Sequence, residues 1–442
     1  MEHVLTLDVG TTSVKAALWD RELNLVSLSL REYGLLYPKP NWVEVNPEAY
    51  WDAATDGTKE VLAKSGVSPG DVCSVACTTQ GETLIPVGAD GEPIGNAIVW
   101  LDERAGDEAA RLERTFGTEL FFSKTGLPEL TGACPAAKAL WLRKRPEYAG
   151  MRKLLLPEDY LIHKMTGAPV SNPALVTSAG WLDIRADKLW DGMLSEILLP
   201  PSYLPEMREP GTAAGTLTRE AAAALGLREG TPVAVGAMDQ VASALGAGNG
   251  DPGIVFETSG TALVASCVTD RFDGVLRAPA TFYRFTEPGK FLLLSFEPSA
   301  GLWLKWFRDA FCPELAGRAD AYAVMDSWAA DASSAVRFDG SGLTRGLSGL
   351  TLSSTRGGCV RAILEALAES LKEHLERIET YGIRAGEVRS LGGGAKSRLW
   401  REIKSKICGV PVTVGPVTET ASLGAAMLAS GVLRTFLKKS SQ

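Results

Sequence analysis

Apolar and polar residues come in blocks whose spacing changes along the chain. Val4-Leu5-Thr6-Leu7 runs into the small, polar stretch Asp8-Val9-Gly10-Thr11-Thr12-Ser13, and Val14 to Trp19 returns as an apolar run. Two apolar runs joined by small polar residues predict a β-hairpin. The phrase recurs halfway along. Gly253-Ile254-Val255-Phe256 leads into Glu257-Thr258-Ser259-Gly260-Thr261, followed by the apolar stretch from Ala262 to Val268. One such hairpin opening each half predicts a duplicated architecture.

Helices and short strands alternate between these hairpins. Asn46-Pro47 offers a cap and a first-turn proline to a helix carrying Trp51, Ala54, Val61 and Leu62, stopped by Gly66. Residues 159–166, closed by Gly167, and 219–225 predict two more helices. Strands are expected at 72–77, 97–99 and 232–235. In the second half, helices are expected at 298–311, from a Thr355 cap to about 381, at 396–408 and at 419–433. Alternating strands and helices predict α/β layers. The division is placed at Glu229-Gly230, giving domains 1–229 and 230–442.

Bulk properties narrow the function. The chain of 442 residues is long for one core. A net charge of −8 argues against a nucleic-acid partner, which needs a basic surface. Seven scattered cysteines form no C-x-x-C pair and fit a reduced, cytoplasmic setting. No apolar run approaches the roughly 18 residues of a membrane span. Three histidines far apart leave little material for a His-based metal site.

Phosphoryl transfer needs a phosphate cradle, a magnesium ion and a base that orients the acceptor hydroxyl. The chain has neither a Walker A loop nor G-x-G-x-x-G. Its two hairpin tips can instead present backbone N–H groups and hydroxyls to an anion. Asp8, beside the first tip, suits a magnesium ion held largely through its waters. Asp239 follows the apolar run 232–235 and precedes a helix, at a strand's carboxyl end where α/β sheets bind ligands. An N-capping aspartate explains that position equally well. Gln80-Gly81-Glu82-Thr83 and Trp100 to Arg104 also follow strands, and suit a polyol that offers hydroxyls on an apolar frame. A salt bridge and a half-buried Trp would explain the second of these as well. Gly392-Gly393-Gly394-Ala395-Lys396-Ser397 permits close backbone approach to a flat ligand.

In this order the motifs resemble the FGGY family of carbohydrate kinases, which includes xylulokinase, gluconokinase and glycerol kinase. The pieces are Asp8 to Ser13, Gln80 to Thr83, Trp100 to Arg104, Gly236-Ala237-Met238-Asp239-Gln240, Thr258 to Thr261, Gly392 to Trp400 and Leu423-Gly424-Ala425-Ala426. The resemblance implies two actin-like (ribonuclease H-like) domains around a cleft, the first contacting sugar and the second nucleotide. It implies Asp239 as catalytic base, with Asp8 at magnesium. ATP would be held by Gly10, Thr11, Thr12, Ser13, Ser259, Gly260, Thr261, Gly393, Gly394, Ala395 and Ser397. Gln80, Glu82, Trp100, Asp239 and Gln240 would hold a small sugar or polyol, such as a ketopentose or related sugar acid. A homodimer is compatible with the family. A sugar-sensing pseudokinase and a nucleotide-gated interaction protein on the same fold are the alternatives.

Two departures bear on substrate. Glycerol kinase has an arginine where this chain has Gly81, and the Met-His pair of xylulokinase is also missing there. The stretch from Val336 to Leu347 is short and lacks the family's apolar strand and Gly-Glu-Arg loop.

Overall fold

The computed structural model describes residues 2–248, 253–260, 262–332, 335–341, 344–415 and 419–440. Its first six-stranded sheet contains β1 (His3–Val9), β2 (Ser13–Trp19), β3 (Leu25–Glu32), β4 (Val72–Thr79), β5 (Ala213–Thr216) and β6 (Pro232–Met238), in the order β5-β6-β4-β1-β2-β3. The second contains β7 (Ile254–Ser259), β8 (Leu263–Thr269), β9 (Thr281–Arg284), β10 (Phe291–Glu297), β11 (Glu387–Leu391) and β12 (Val412–Val414), in the order β9-β10-β8-β7-β11-β12.

The duplication expected from the hairpins is visible strand by strand. In the first sheet β1 pairs antiparallel with β2, β2 with β3, and β1 runs parallel to β4, which runs parallel to β6. In the second β7 pairs antiparallel with β8, β8 with β10, and β7 runs parallel to β11, which runs parallel to β12. Each half is thus a five-stranded ribonuclease H-like sheet with one added edge strand, β5 or β9. The central parallel strands are buried and read as near-continuous apolar runs, as sheets covered on both faces require.

Local signals set most helix ends. Helix Glu48–Ser65 stops at Gly66, whose φ of 68° lets its N–H reach Leu62 O. Thr355 caps helix Arg356–Thr380 by accepting from Gly358 N at 3.1 Å. Two starts move. The helix expected from 298 begins at Gly301, because Ala300 has non-helical φ and ψ. The one expected from 396 is Arg398–Cys408, capped by the Ser397 hydroxyl.

The expected division at 229/230 is corrected. It would assign β6 to the second domain, yet both ladder partners of β6, β4 and β5, belong to the first sheet. The first unit therefore runs on through β6 and helix Asp239–Gly246. That helix crosses Thr420–Ser440 at very close range: a Cβ on Gly246 would lie 2.0 Å from Thr420 O, and one on Gly424 2.0 Å from Ala242 O. Any side chain at either crossing would force the helices apart, so the carboxy-terminal helix is locked against the first unit. The short 336–347 region forms a two-stranded ribbon, Arg337–Ser341 with Thr344–Ser348, in which Phe338 is buried between exposed neighbours. Among the described residues no helix is long and apolar enough to cross a membrane.

Candidate active site

Parallel neighbours bring distant residues together. Strands β1, β4 and β6 lie side by side and point the same way, so their carboxyl ends form one edge. Asp8 lies at the end of β1, Gln80 and Glu82 just beyond β4, and Asp239 just beyond β6. Gln80 N donates to Val9 O at 2.8 Å, tying the β4 exit to the first tip.

The carboxylates at this edge feel one another. Burial, then the nearby charges of Asp8 and Glu82, push Asp239 up to about 7, against the pull of the Gln240 N–H 2.7 Å away. Burial raises Asp8 to about 6, with Lys15 opposing and Glu419 adding. Lys15 is drawn to Glu419 at 2.7 Å and stays 3.8 Å from Asp8. Burial also raises Glu82, which Lys138 counteracts. Glu82 is held at φ 65°, a left-handed conformation that costs about 1–3 kcal/mol for a side chain of this kind.

Of the residues expected at the sugar, Gln80, Glu82, Asp239 and Gln240 lie at this strand edge. Trp100 Nε1 donates to Thr11 Oγ1 at 2.9 Å, which joins the aromatic platform to the first tip. Gln80 is buried, donates to the Tyr50 hydroxyl at 3.2 Å, and leaves Oε1 without a partner. Gln240 is exposed in the first turn of its helix. Asp102 and Arg104 are engaged with each other. Their side chains are buried, paired at 2.8 Å, and extended by Glu44 at 2.7 Å, with the guanidinium 3.7 Å from the Trp42 ring centroid. Asp102 also accepts from Val43 N at 2.6 Å, which fixes the turn that follows Trp100.

The first tip is a tight loop. Gly10 N donates to Ser13 O at 2.9 Å, the Tyr33 hydroxyl donates to Gly10 O at 2.5 Å, and Thr12 is exposed. The second tip borders a cavity of about 520 Å³ with Ser259, Gly260, Gly393, Gly394 and Ser397 on its walls. All five were expected at the nucleotide. Ala395, expected with them, is buried and does not line the cavity. Thr261 lies outside the described residues.

Magnesium fits the donor set. Among the described residues no group of three or more His, Cys, Asp or Glu could cage a metal. Magnesium commonly needs only one or two carboxylates, since waters and substrate phosphates supply the rest, and Asp8 provides one beside the first tip.

Three residues escaped sequence reasoning. Lys138, the one charge in the apolar helical stretch Ala136 to Leu142, is buried and donates to Val99 O at 2.9 Å. A lysine on an otherwise buried helix face was the available signal. Lys404 interrupts the stripe Trp400, Ile403 and Ile407 in the same way. Tyr283 comes from β9, which reaches across to the first unit: Phe282 N donates to Gly126 O and Arg284 N to Thr177 Oγ1, each at 2.9 Å. Burial, then the charges of Glu82 and Asp239, push the Tyr283 hydroxyl up. No pattern in the sequence marked it.

Comparison with known proteins identifies the family. The N-terminal domain of the FGGY family of carbohydrate kinases matches residues 3–246, and its C-terminal domain matches 253–431. A glycerol kinase of Thermococcus gammatolerans is 32% identical over 97% of this chain and 88% of its own. A probable L-xylulose kinase of Haemophilus influenzae is 27% identical over 97% and 90%. The xylulose kinase structure from Rhodospirillum rubrum superposes with a TM-score of 0.88 at 27% identity, covering 97% of this chain and 89% of that one. Both domains are matched in order over nearly the whole length: the chain belongs to the FGGY family of carbohydrate kinases, and is a phosphotransferase.

Proposed function

We propose that the protein transfers the γ-phosphoryl group of ATP to a hydroxyl of a small neutral sugar or polyol, with Asp239 as the base. The observation that carries this reading is the placement of Asp239. It opens a helix at the carboxyl end of β6, half-buried, within electrostatic reach of Asp8 and Glu82. A carboxylate with its pKa near 7 is matched to taking a proton at neutral pH.

The other roles follow from position. Gln80, Glu82, Trp100 and Gln240 of the first domain hold the acceptor, and Tyr283 closes the pocket from the second. The two tips and the Gly393-Gly394 loop hold the nucleotide, and Asp8 holds magnesium, whose charge stabilises the transferring phosphoryl group. Closing the two domains over the cleft keeps water from the γ-phosphate.

Charge favours a neutral acceptor over an aldonate. Asp8, Glu82 and Asp239 face the site, while the nearby Lys138 is engaged by backbone carbonyls of Val99 and Trp100. A substrate carboxylate would meet net repulsion there. The backbone at Gly81 is closely packed. A Cβ at 81 would lie 2.5 Å from Ser178 Oγ and 2.9 Å from Met238 Sδ, so these side chains fill the space of any larger residue. Ketopentoses such as xylulose, alditols and glycerol remain, in keeping with the glycerol and xylulose kinases among the relatives.

The test is ADP release across pentuloses, hexuloses, tetritols, glycerol and aldonates, with Asp239→Asn beside the wild type. Neutral acceptors should lead, and the variant should lose about 10²–10⁴-fold in turnover while still binding ADP. Near-normal turnover by the variant overturns the base assignment. An aldonate as the best acceptor overturns the charge argument alone.

A further inference from the structure

Beneath the second tip lies a charged pair that the mechanism above does not use. Lys404 and Glu257 are both fully buried, with Nζ 2.9 Å from Oε1. The lysine also donates to Ser259 Oγ at 3.0 Å, and its Nζ stands 3.9 Å from the centroid of the Trp400 ring. Glu257 in turn accepts from the hydroxyls of Ser259 and of Ser390, the latter at 2.6 Å.

Lys404 itself does not line the 520 Å³ cavity, but Ser259, Gly394 and Trp400 do. Gly394 is wedged between the other two. A Cβ on it would lie 2.8 Å from Ser259 O and 3.0 Å from Trp400 Cζ3. One ammonium group therefore grips two walls of the cavity while the glycine loop fills the gap between them. A buried ion pair adds little net stability over apolar residues of equal volume, so stability alone does not account for it. An ammonium with three donors can, however, fix several partners in one geometry.

We infer that Lys404 is a positioning residue for the nucleotide: with Glu257 it holds the Ser259 tip and the Trp400 wall in the geometry that receives the phosphates and base. This rests on the cavity being the nucleotide site. It also reassigns Ser259, whose hydroxyl is engaged on the inner side by Glu257 and Lys404. The phosphates are left to backbone N–H groups of the tip.

The test compares ADP binding by calorimetry with the thermal midpoint in Lys404→Met, Ser259→Ala and the double variant Glu257→Gln/Lys404→Met. Lys404→Met leaves Glu257 buried without its cation and should lower the midpoint. The double variant removes both charges and should recover most of that loss, yet its ADP Kd should stay raised about tenfold. Ser259→Ala cuts the tether without stranding a charge and should raise the Kd several-fold. In steady state the double variant should raise KM for ATP by a similar factor and leave kcat within about threefold. If Lys404→Met fails to fold, the other two variants decide. The proposal is overturned if both bind ADP within twofold of wild type. Wild-type protein that binds no ADP would instead sink the assignment of the cavity.

Discussion

At the first tip the acid Asp8 lies one residue before the last ladder pair, Val9 with Val14; at the second, Glu257 lies two residues before Ser259 with Leu263. Neighbouring residues of a strand point to opposite faces, so one residue of offset sends the two acids different ways. Asp8 keeps some contact with solvent and lies 3.8 Å from a lysine that is held instead by Glu419 at 2.7 Å, whereas Glu257 is sealed against Lys404 at 2.9 Å. The first acid is available for chemistry, and the second is committed to holding its loop. If the two tips hold the nucleotide as proposed, hairpins that look like copies divide the labour of one phosphate site.

The sharpest way to break this comparison is Asp8→Asn. Loss of the carboxylate beside the first tip should lower kcat by about 10²–10³-fold, the scale of removing one stabiliser of transition-state charge. The thermal midpoint should not fall, because burial already disfavours the charged form of Asp8. Paired with the Lys404→Met result, this gives opposite signatures at the two tips: activity lost with stability kept, against stability lost. A fall in the Asp8→Asn midpoint as large as that of Lys404→Met would erase the distinction.

The pH profile is the next test, with an effect of about tenfold per unit. Asp239, raised to about 7, must be deprotonated to act as a base, so kcat/KM should decline as pH falls through about 7. The limb belongs to the interacting carboxylates as a set. Because the charge of Asp8 is the second cause of the Asp239 shift, the residual activity of Asp8→Asn should show its limb at lower pH. An unmoved limb would place Asp239 outside the influence of the first tip. For stability the sign runs the other way. Between about pH 4 and 7 the folded chain holds more protons on Asp239 than the unfolded one, so stability declines as pH rises across that window.

How much of this was legible in the sequence follows from the range of each interaction. The hairpins, the Gly66 stop and the Thr355 cap are encoded within a few residues, and all were readable. The fold itself came from the order of the motifs, each weak alone. The division at 229/230 failed because the partners of β6 are set by sheet pairing more than a hundred residues away, between Val75 and Val233. The same holds for the candidate site. Asp239 and Asp8 could be singled out because strand ends in α/β sheets have a known use, but Lys404 and Glu257 are 147 positions apart and meet only in the fold. A lysine on an apolar helical stripe marks such a buried partner without naming it.

The smallest expected effect sharpens the comparison most finely, because it asks what the first tip is joined to. Trp100 Nε1 donates to Thr11 Oγ1 at 2.9 Å, across 89 residues of sequence. If this bond couples the acceptor platform to the phosphate loop, Trp100→Phe should raise KM for both the acceptor and ATP, although the proposed role of the ring concerns the acceptor alone. Thr11→Val should do the same from the other side. A single neutral hydrogen bond is worth about 0.5–1.5 kcal/mol, so each variant should cost about 2–12-fold in kcat/KM. The two losses remove one shared bond, so the double variant should cost clearly less than their product. Simple multiplication of the two effects would show that the first tip, like the second, answers to one ligand only.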